Sequence, residues 1–403
     1  MSARLDGRRA FWAVAFAFLA VMAFATVPSP LYGLYRARDH FSLFTVTVIY
    51  AVYSVGVIGA LLLAGHLSDW YGRRRVLLPA LGLAIVSATV FVASKSLAGL
   101  VTARLLHGIS IGLVVSTATA YLAELSAIGW PHAPARRAQV VASAVNVGGL
   151  GVGALVAGVL AEWVPYPLTV PYLVFLAALV LGAIGVALSP ETREAVRPLP
   201  RYRPQHVSVP RDERSRYVAA TLSAFLAFAT LGLFTGLAGV FLSATLHHRS
   251  HALAGAVLCA MFGAGVVAQL ETATWPATRT FEAGMAALVA GLTLAVTAVW
   301  LPSLALFIGG GVLIGAGAGA IFRGAVATVM TIAVPDRLAE SLTGLFVIAF
   351  VGISVPVAGA GVALARDVSP KVTMLAFAMA VSTGIAAAAI RLVGGARPLR
   401  SVA

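Results

Sequence analysis

The chain has 403 residues, 60% of them hydrophobic and only 10% charged, with a formal net charge of +14. Soluble globular domains carry about 25% charged residues, so this composition excludes an ordinary soluble enzyme and points to a chain built for lipid. Nucleic acid is excluded as a partner, because the basic residues lie in short connections between apolar runs and form no patch with interleaved aromatics.

A spanning helix needs about 20 mostly apolar residues. On that rule spans fall near 10–33, 43–64, 76–94, 97–124, 138–162 and 168–188. A polar break follows, then spans near 217–243, 252–270, 282–300, 303–332, 340–364 and 371–392. The expected fold class is therefore an all-α polytopic membrane protein of twelve transmembrane helices. The first span imitates a cleavable secretory signal, with Arg4, Arg8 and Arg9 ahead of an apolar core and Ala23-Phe24-Ala25 as an A-x-A site. The apolar run continues through Val27 to Leu34, however, which favours a retained helix. It ends VPSPLYGLY, and its two prolines break the hydrogen-bond ladder, which is tolerated only beside other helices or a water-filled cavity. Pro28 and Tyr32 are accordingly candidates for a substrate cavity, although a tyrosine there also suits the interfacial belt.

The second and third spans are joined by Gly65 to Leu77, GHLSDWYGRRRVL. Two glycines, one acid and three consecutive arginines fill a turn too short to be a domain, and nothing in it can do bond chemistry. With the N-terminus inside, twenty of the 28 basic residues fall on its side of the membrane and six on the other. By the positive-inside rule both termini are cytoplasmic and the chain sits in a plasma membrane. The turn resembles the loop between helices 2 and 3 of major facilitator superfamily (MFS) transporters, G-x-L-x-D-R-x-G-R-R-x-x-L. Gly65, Leu67, Asp69, Gly72, Arg73, Arg74 and Leu77 match, and Trp70 stands where a basic residue is usual. The resemblance implies two six-helix halves, 1–189 and 217–403, moving about a central cavity. It also implies that Gly65, Asp69, Gly72, Arg73 and Arg74 form a cytoplasmic gate.

Arg104 lies about eight residues into the fourth span, roughly 12 Å from its outer end. A guanidinium there is costly unless it faces a cavity or a partner; snorkelling to the outer surface is the alternative. RLLHG, Arg104 to Gly108, resembles the R-x-x-Q-G motif of the drug:proton antiporter branch, which implies a part for Arg104 in proton coupling. His107 replaces the glutamine and could carry a proton or simply donate one hydrogen bond inside the bundle. In the fifth span Asn146 precedes a ladder of Gly149, Gly151, Gly153 and Gly158. Glycines so spaced bring helices to backbone contact. GLGVGALVAG also resembles the antiporter motif G-x-x-x-G-P-x-x-G-G, with Ala154 for the proline and Ala157 for a glycine, which implies export. Asn146 either holds Arg104 or lines the cavity.

None of the fourteen acids lies in mid-span, so Glu124, at the inner end of the fourth, joins Arg104 and His107 as a proton-coupling candidate. Residues 190–216 carry five prolines and seven arginines and read as a cytoplasmic linker held at the anionic inner leaflet. In the family, helices 1, 4, 7 and 10 line the cavity, which makes Phe234 and Arg323 candidates. Lipid packing for the first and snorkelling for the second explain them equally well.

No cofactor or metal is expected. Cys259 is the only cysteine, and His247, His248 and His251 lie in an outer loop without an acid or thiol. Gly108 to Gly112 fits a nucleophile elbow only literally, since it falls in mid-helix. The expected function is secondary transport, as proton-coupled efflux of small, partly hydrophobic molecules by a monomer. An uptake permease working by proton symport is the alternative, and a membrane-embedded enzyme a more distant one. The partners are then the small-molecule substrate, protons and membrane lipid.

Overall fold

The computed structural model describes residues 5–132, 134, 136–198, 201–210, 212–334 and 337–394. Among them are twelve helical segments long and apolar enough to cross a membrane, and no strands. In lipid an unpaired backbone group costs several kcal/mol, and only helices satisfy all of theirs within one span. The chain is a multi-pass, all-helical membrane protein. Val55, Leu181 and Ile390 are each at least 60% exposed, as side chains facing acyl chains should be, while Trp163, Tyr166 and Trp300 stand exposed near span ends.

The first span is a helix in two pieces, α1 (Gly7–Thr26) and α2 (Tyr32–Asp39), joined by a 3-10 turn at Ser29–Leu31. Pro28 and Pro30 have no N–H to give, so the ladder stops there. The second span is α3 (Leu43–Ala64), started by the Ser42 hydroxyl, which accepts the Thr45 N–H. A single turn, α4 (Leu67–Tyr71), leads to α5 (Arg73–Ala93). Then come α6 (Leu97–Gly129), α7 (Arg136–Trp163) and α8 (Val170–Leu188). The later spans are α9 (Arg214–Ala244), α10 (His251–Glu271), α11 (Ala277–Trp300), α12 (Leu304–Ile332), α13 (Leu338–Ala365) and α14 (Pro370–Gly394). Ser96, Ser250 and Ser303 cap α6, α10 and α12 as Ser42 caps α3.

The packing repeats with an offset of six spans. The first span, α1, packs on α6, α7 and α8, and the seventh, α9, packs on α12, α13 and α14. α3 packs on α6 as α10 packs on α12, and α5 meets α6 and α8 as α11 meets α12 and α14. Two seams join the six-span groups, α7 against α10 and α3 against α13. They too exchange under the repeat, fifth with eighth and second with eleventh.

The proline-rich segment after α8 is tied to the ends of neighbouring helices. Val196 N–H donates to the Trp70 carbonyl, Tyr202 Oη to the Leu63 carbonyl and Gln205 N–H to the Leu62 carbonyl. Further on, the Ser341 hydroxyl at the start of α13 donates to the Ser208 carbonyl. The segment crosses from the end of α3 to the start of α13, because it lacks helical periodicity and its backbone donors find free carbonyls at a helix end.

Candidate functional site

Two intramembrane oddities of the sequence satisfy each other. Arg104 on α6 is 1% exposed, and its Nη1 donates to the carbonyl of Ala25, just before the break in the first span, at 2.8 Å. Its Nη2 reaches the Tyr50 carbonyl at 3.5 Å, and the guanidinium lies 4.8 Å from the ring centre of Tyr53 and 5.5 Å from that of Tyr50. Arg104 does not snorkel. It turns inward to the bent helix and two aromatic faces, and its Nε has no partner.

Beside it lies a central cavity of about 120 Å³ between the six-span groups. The first group supplies Thr26, Tyr50, Tyr53, Arg104 and Asn146, and the second supplies Phe228, Phe322, Phe350, Thr235 and Gln269. Asn146, Phe322 and Phe350 also line a larger cavity of about 660 Å³. That space continues past Leu61, Ser143 and Leu342 to His66, Asp69 and Gln205 at the arginine-rich end. Burial between the Trp70 and Tyr202 rings pushes the His66 imidazole below its ordinary pKa, with Asp69 opposing.

The opposite end is shut. On the α7–α10 seam a Cβ on Gly151 would stand 3.2 Å from Cys259 Cα, and one on Gly158 would strike the His251 carbonyl. Glu162, at the end of α7, accepts the His251 N–H at 2.7 Å and the Ala252 N–H at 3.4 Å, which caps α10. His251 Nδ1 meets the Pro30 carbonyl at 3.1 Å. On the other seam Thr47 packs on Gly361, and Ser54 and Ser354 share a hydrogen bond. The groups thus meet at one end and part toward the arginine-rich end.

At that end Arg73 is 5% exposed and gathers the acids. Its Nη1 lies 3.0 Å from Asp69 Oδ1 and donates to the Ser68 hydroxyl at 2.8 Å. Nη2 and Nε donate to Glu124 Oε1 at 3.0 and 3.1 Å. Glu191, just past α8, accepts the main-chain N–H of Arg73 at 2.7 Å and that of Arg74 at 3.3 Å, and so caps α5. Gly72 has φ +105°, and a Cβ there would stand 2.7 Å from Glu191 Oε2. A side chain is excluded on both counts. The Arg74 side chain donates to the Ser189 carbonyl, and Arg193 bonds the Asp69 carbonyl and carboxylate. Gly65 lets the Gln205 side chain approach, since a Cβ would come within 2.9 Å of Oε1.

Several sequence candidates stand away from the central cavity wall. Glu124 belongs to the Arg73 cluster, away from the central cavity wall. His107 is buried, with its ring edge-on to Phe24 at 4.8 Å and stacked on Tyr53 at 6.3 Å, so it lies between α1 and α3. Its packing leads to an expected result: His107→Leu keeps its folding and keeps transport within about twofold, because the imidazole sits between aromatic rings where an apolar side chain of similar bulk also packs. Loss of substrate-driven proton movement in a well-folded variant would return His107 to the proton path.

Arg323 is no cavity residue. Its Nε and Nη2 donate to the carbonyls of Thr272 and Ala273, where α10 ends and leaves carbonyls free. Phe234 stacks on Phe307 at 5.3 Å and is buried in packing. Pro28 makes the break, and Tyr32 lines a separate cavity of about 320 Å³ at the opposite end, with its hydroxyl unpartnered. Asn146 lines the central cavity and makes no hydrogen bond to Arg104. Gly149 and Gly153 face α1, whereas Gly151 and Gly158 face α10. Sequence reading passed over Glu191, Thr26 and Gln269; an acid directly after the sixth span and an amide near the end of the eighth were the available signals.

The profile of the Major Facilitator Superfamily matches residues 14–359. The chain belongs to that superfamily. Among solved superfamily structures, the human organic anion transporter MFSD10 (TETRAN) superposes with a TM-score of 0.66 at 18% identity, covering 96% of this chain and 100% of that one. The nucleoside transporter NupG superposes with a TM-score of 0.69 at 10% identity, covering 95% and 99%. At such identities the likeness is one of fold. Two curated relatives match locally. The arabinose-proton symporter of Bacillus subtilis is 36% identical over 77 residues, 19% of this chain and 16% of its own length. The probable glucose transporter rco-3 of Neurospora crassa is 35% identical over 79 residues, 20% of this chain and 13% of its own. This member of the superfamily is a membrane transport protein.

Proposed function

We propose that the chain exports small, partly hydrophobic molecules in exchange for protons. Residues 1–189 would rock against residues 217–403 about the central cavity, with 190–216 connecting them on the cytoplasmic side. Both termini are then cytoplasmic, the membrane is the plasma membrane, and the monomer suffices. The observation that carries this reading is the cavity wall, where Phe228, Phe322 and Phe350 face a few polar groups around Arg104. A sugar would need a hydrogen-bond partner for most of its hydroxyls, and Thr26 and Thr235 in this wall already give their hydroxyl hydrogens to the Leu150 and Leu231 carbonyls. The parting of the groups toward the arginine-rich end fits a resting state ready to load from the cytoplasm. The glycine ladder on α7 supports export. The local similarity to a proton symporter favours a second reading, uptake with protons.

Inverted vesicles with an acid interior and a pH dye test the two readings against each other. Export predicts that adding a transported compound to the outside releases protons from the lumen, and that Arg104→Ala abolishes this. Faster entry of the compound into right-side-out cells, without proton release from inverted vesicles, would replace export by uptake.

A further inference from the structure

Arg104 places a positive charge in the wall of the central cavity, and no carboxylate among the described residues lining that cavity answers it. Such a charge in a low-dielectric site is strongly unfavourable until a counter-charge arrives. The guanidinium is also short of acceptors. Nη1 is well bonded, Nη2 has only a 3.5 Å contact and Nε has none. Nε and Nη2 together form the edge that takes a carboxylate through two parallel hydrogen bonds. The rings that cover it, Tyr50 and Tyr53, themselves line the cavity.

The opposite end of the path has the same sign. The cavity at the opposite end is lined by Arg36, His248, Arg249 and His251, with no acid among its described residues and the Tyr32 hydroxyl unpartnered. In the cavity at the arginine-rich end the one charged lining residue is the acid Asp69, and its carboxylate is already held by Arg73 and Arg193. A cationic solute would meet no free counter-charge along the route, whereas an anion meets one at the centre and more at the exit.

We infer that the substrate is an organic anion, with a carboxylate set against Arg104 and an apolar or aromatic body among Phe228, Phe322 and Phe350. This rests on the reading of the cavity as the transport site and names the chemistry of what it carries.

The test uses the purified full chain and three size-matched probes, phenylbutyrate, phenylbutyramide and phenylbutylamine, with binding measured by calorimetry. Phenylbutyrate should bind at least about tenfold more tightly than the other two. Arg104→Gln should remove that preference, and Arg104→Lys, which keeps the charge, should restore part of it. Because the wild-type preference needs no variant, a poorly folded Arg104→Gln protein leaves the test intact. Equal or tighter binding of the amide or the amine overturns the inference, as does binding of none of the three. Flux in vesicles separates the two levels. Selective binding of phenylbutyrate without export would sustain the substrate class and sink the export reading, while export of the amine would do the reverse.

Discussion

Arg73→Ala is expected to lower stability by about 2–3 kcal/mol and transport by roughly tenfold or more. Arg73 is 5% exposed, and removing it strands Glu124, whose side chain is 31% exposed, and Asp69, at 49%. That partial exposure puts the cost at or below the low end of the range for a broken buried pair. Thermal unfolding of the purified protein reads the loss as a fall of about 5 °C. Transport suffers separately, because Asp69 also holds Arg193 and hence the segment that crosses the cavity mouth. A double variant, Arg73→Ala with Glu124→Gln, should be little worse than Arg73→Ala alone, since the two side chains share one interaction. An unchanged melting temperature for Arg73→Ala would show that the cluster contributes nothing to the fold.

Gly153→Ala should cost about 1–3 kcal/mol and most of the folded yield, although alanine favours a helix by about 1 kcal/mol over glycine. The new methyl would fall on the main chain of Ala23, and a backbone carbonyl has no rotamer to escape into. α1 and α7 would have to separate, breaking the hydrogen bond from the Thr26 hydroxyl to the Leu150 carbonyl. The Ala25 carbonyl that holds Arg104 would shift with them. Gly148→Ala is the internal control. Its methyl would lie 3.7 Å from Val266 Cγ2, an ordinary contact, so the helix propensity should decide and stability should hold or rise. Equal melting temperatures for the two variants would show that the α1–α7 approach is looser than the geometry describes.

The spans were legible because lipid imposes a length and an apolar composition that few other folds share. The proline break and Arg104 were each visible as anomalies. That one satisfies the other was not, since the sequence does not say which carbonyl a long side chain reaches. Arg323 and Phe234 misled for a related reason. They were assigned by the span that carries them, but a helix beside a cavity turns only part of its circumference toward it. Arg323 faces the end of α10, and Phe234 faces Phe307. In α7 the spacing held more than was taken from it. Gly149 and Gly153, one turn apart, serve one neighbour, while Gly151 and Gly158, two turns apart, serve another. Glu191, Tyr202 and Gln205 lie in a segment without periodicity, where only long-range contacts fix position.

Those contacts give the segment a mechanical meaning. Gln205 is fastened through its N–H to the end of α3 and Ser208 through its carbonyl to the start of α13, so four residues span the anchors. Fully drawn out, that stretch spans about 13 Å. It is a leash of fixed length across the mouth, so the gap between α3 and α13 has a ceiling set by chain length rather than by side-chain packing. Any wider gape requires one anchor to let go. Lengthening the stretch would raise the ceiling without touching a residue that lines the central cavity.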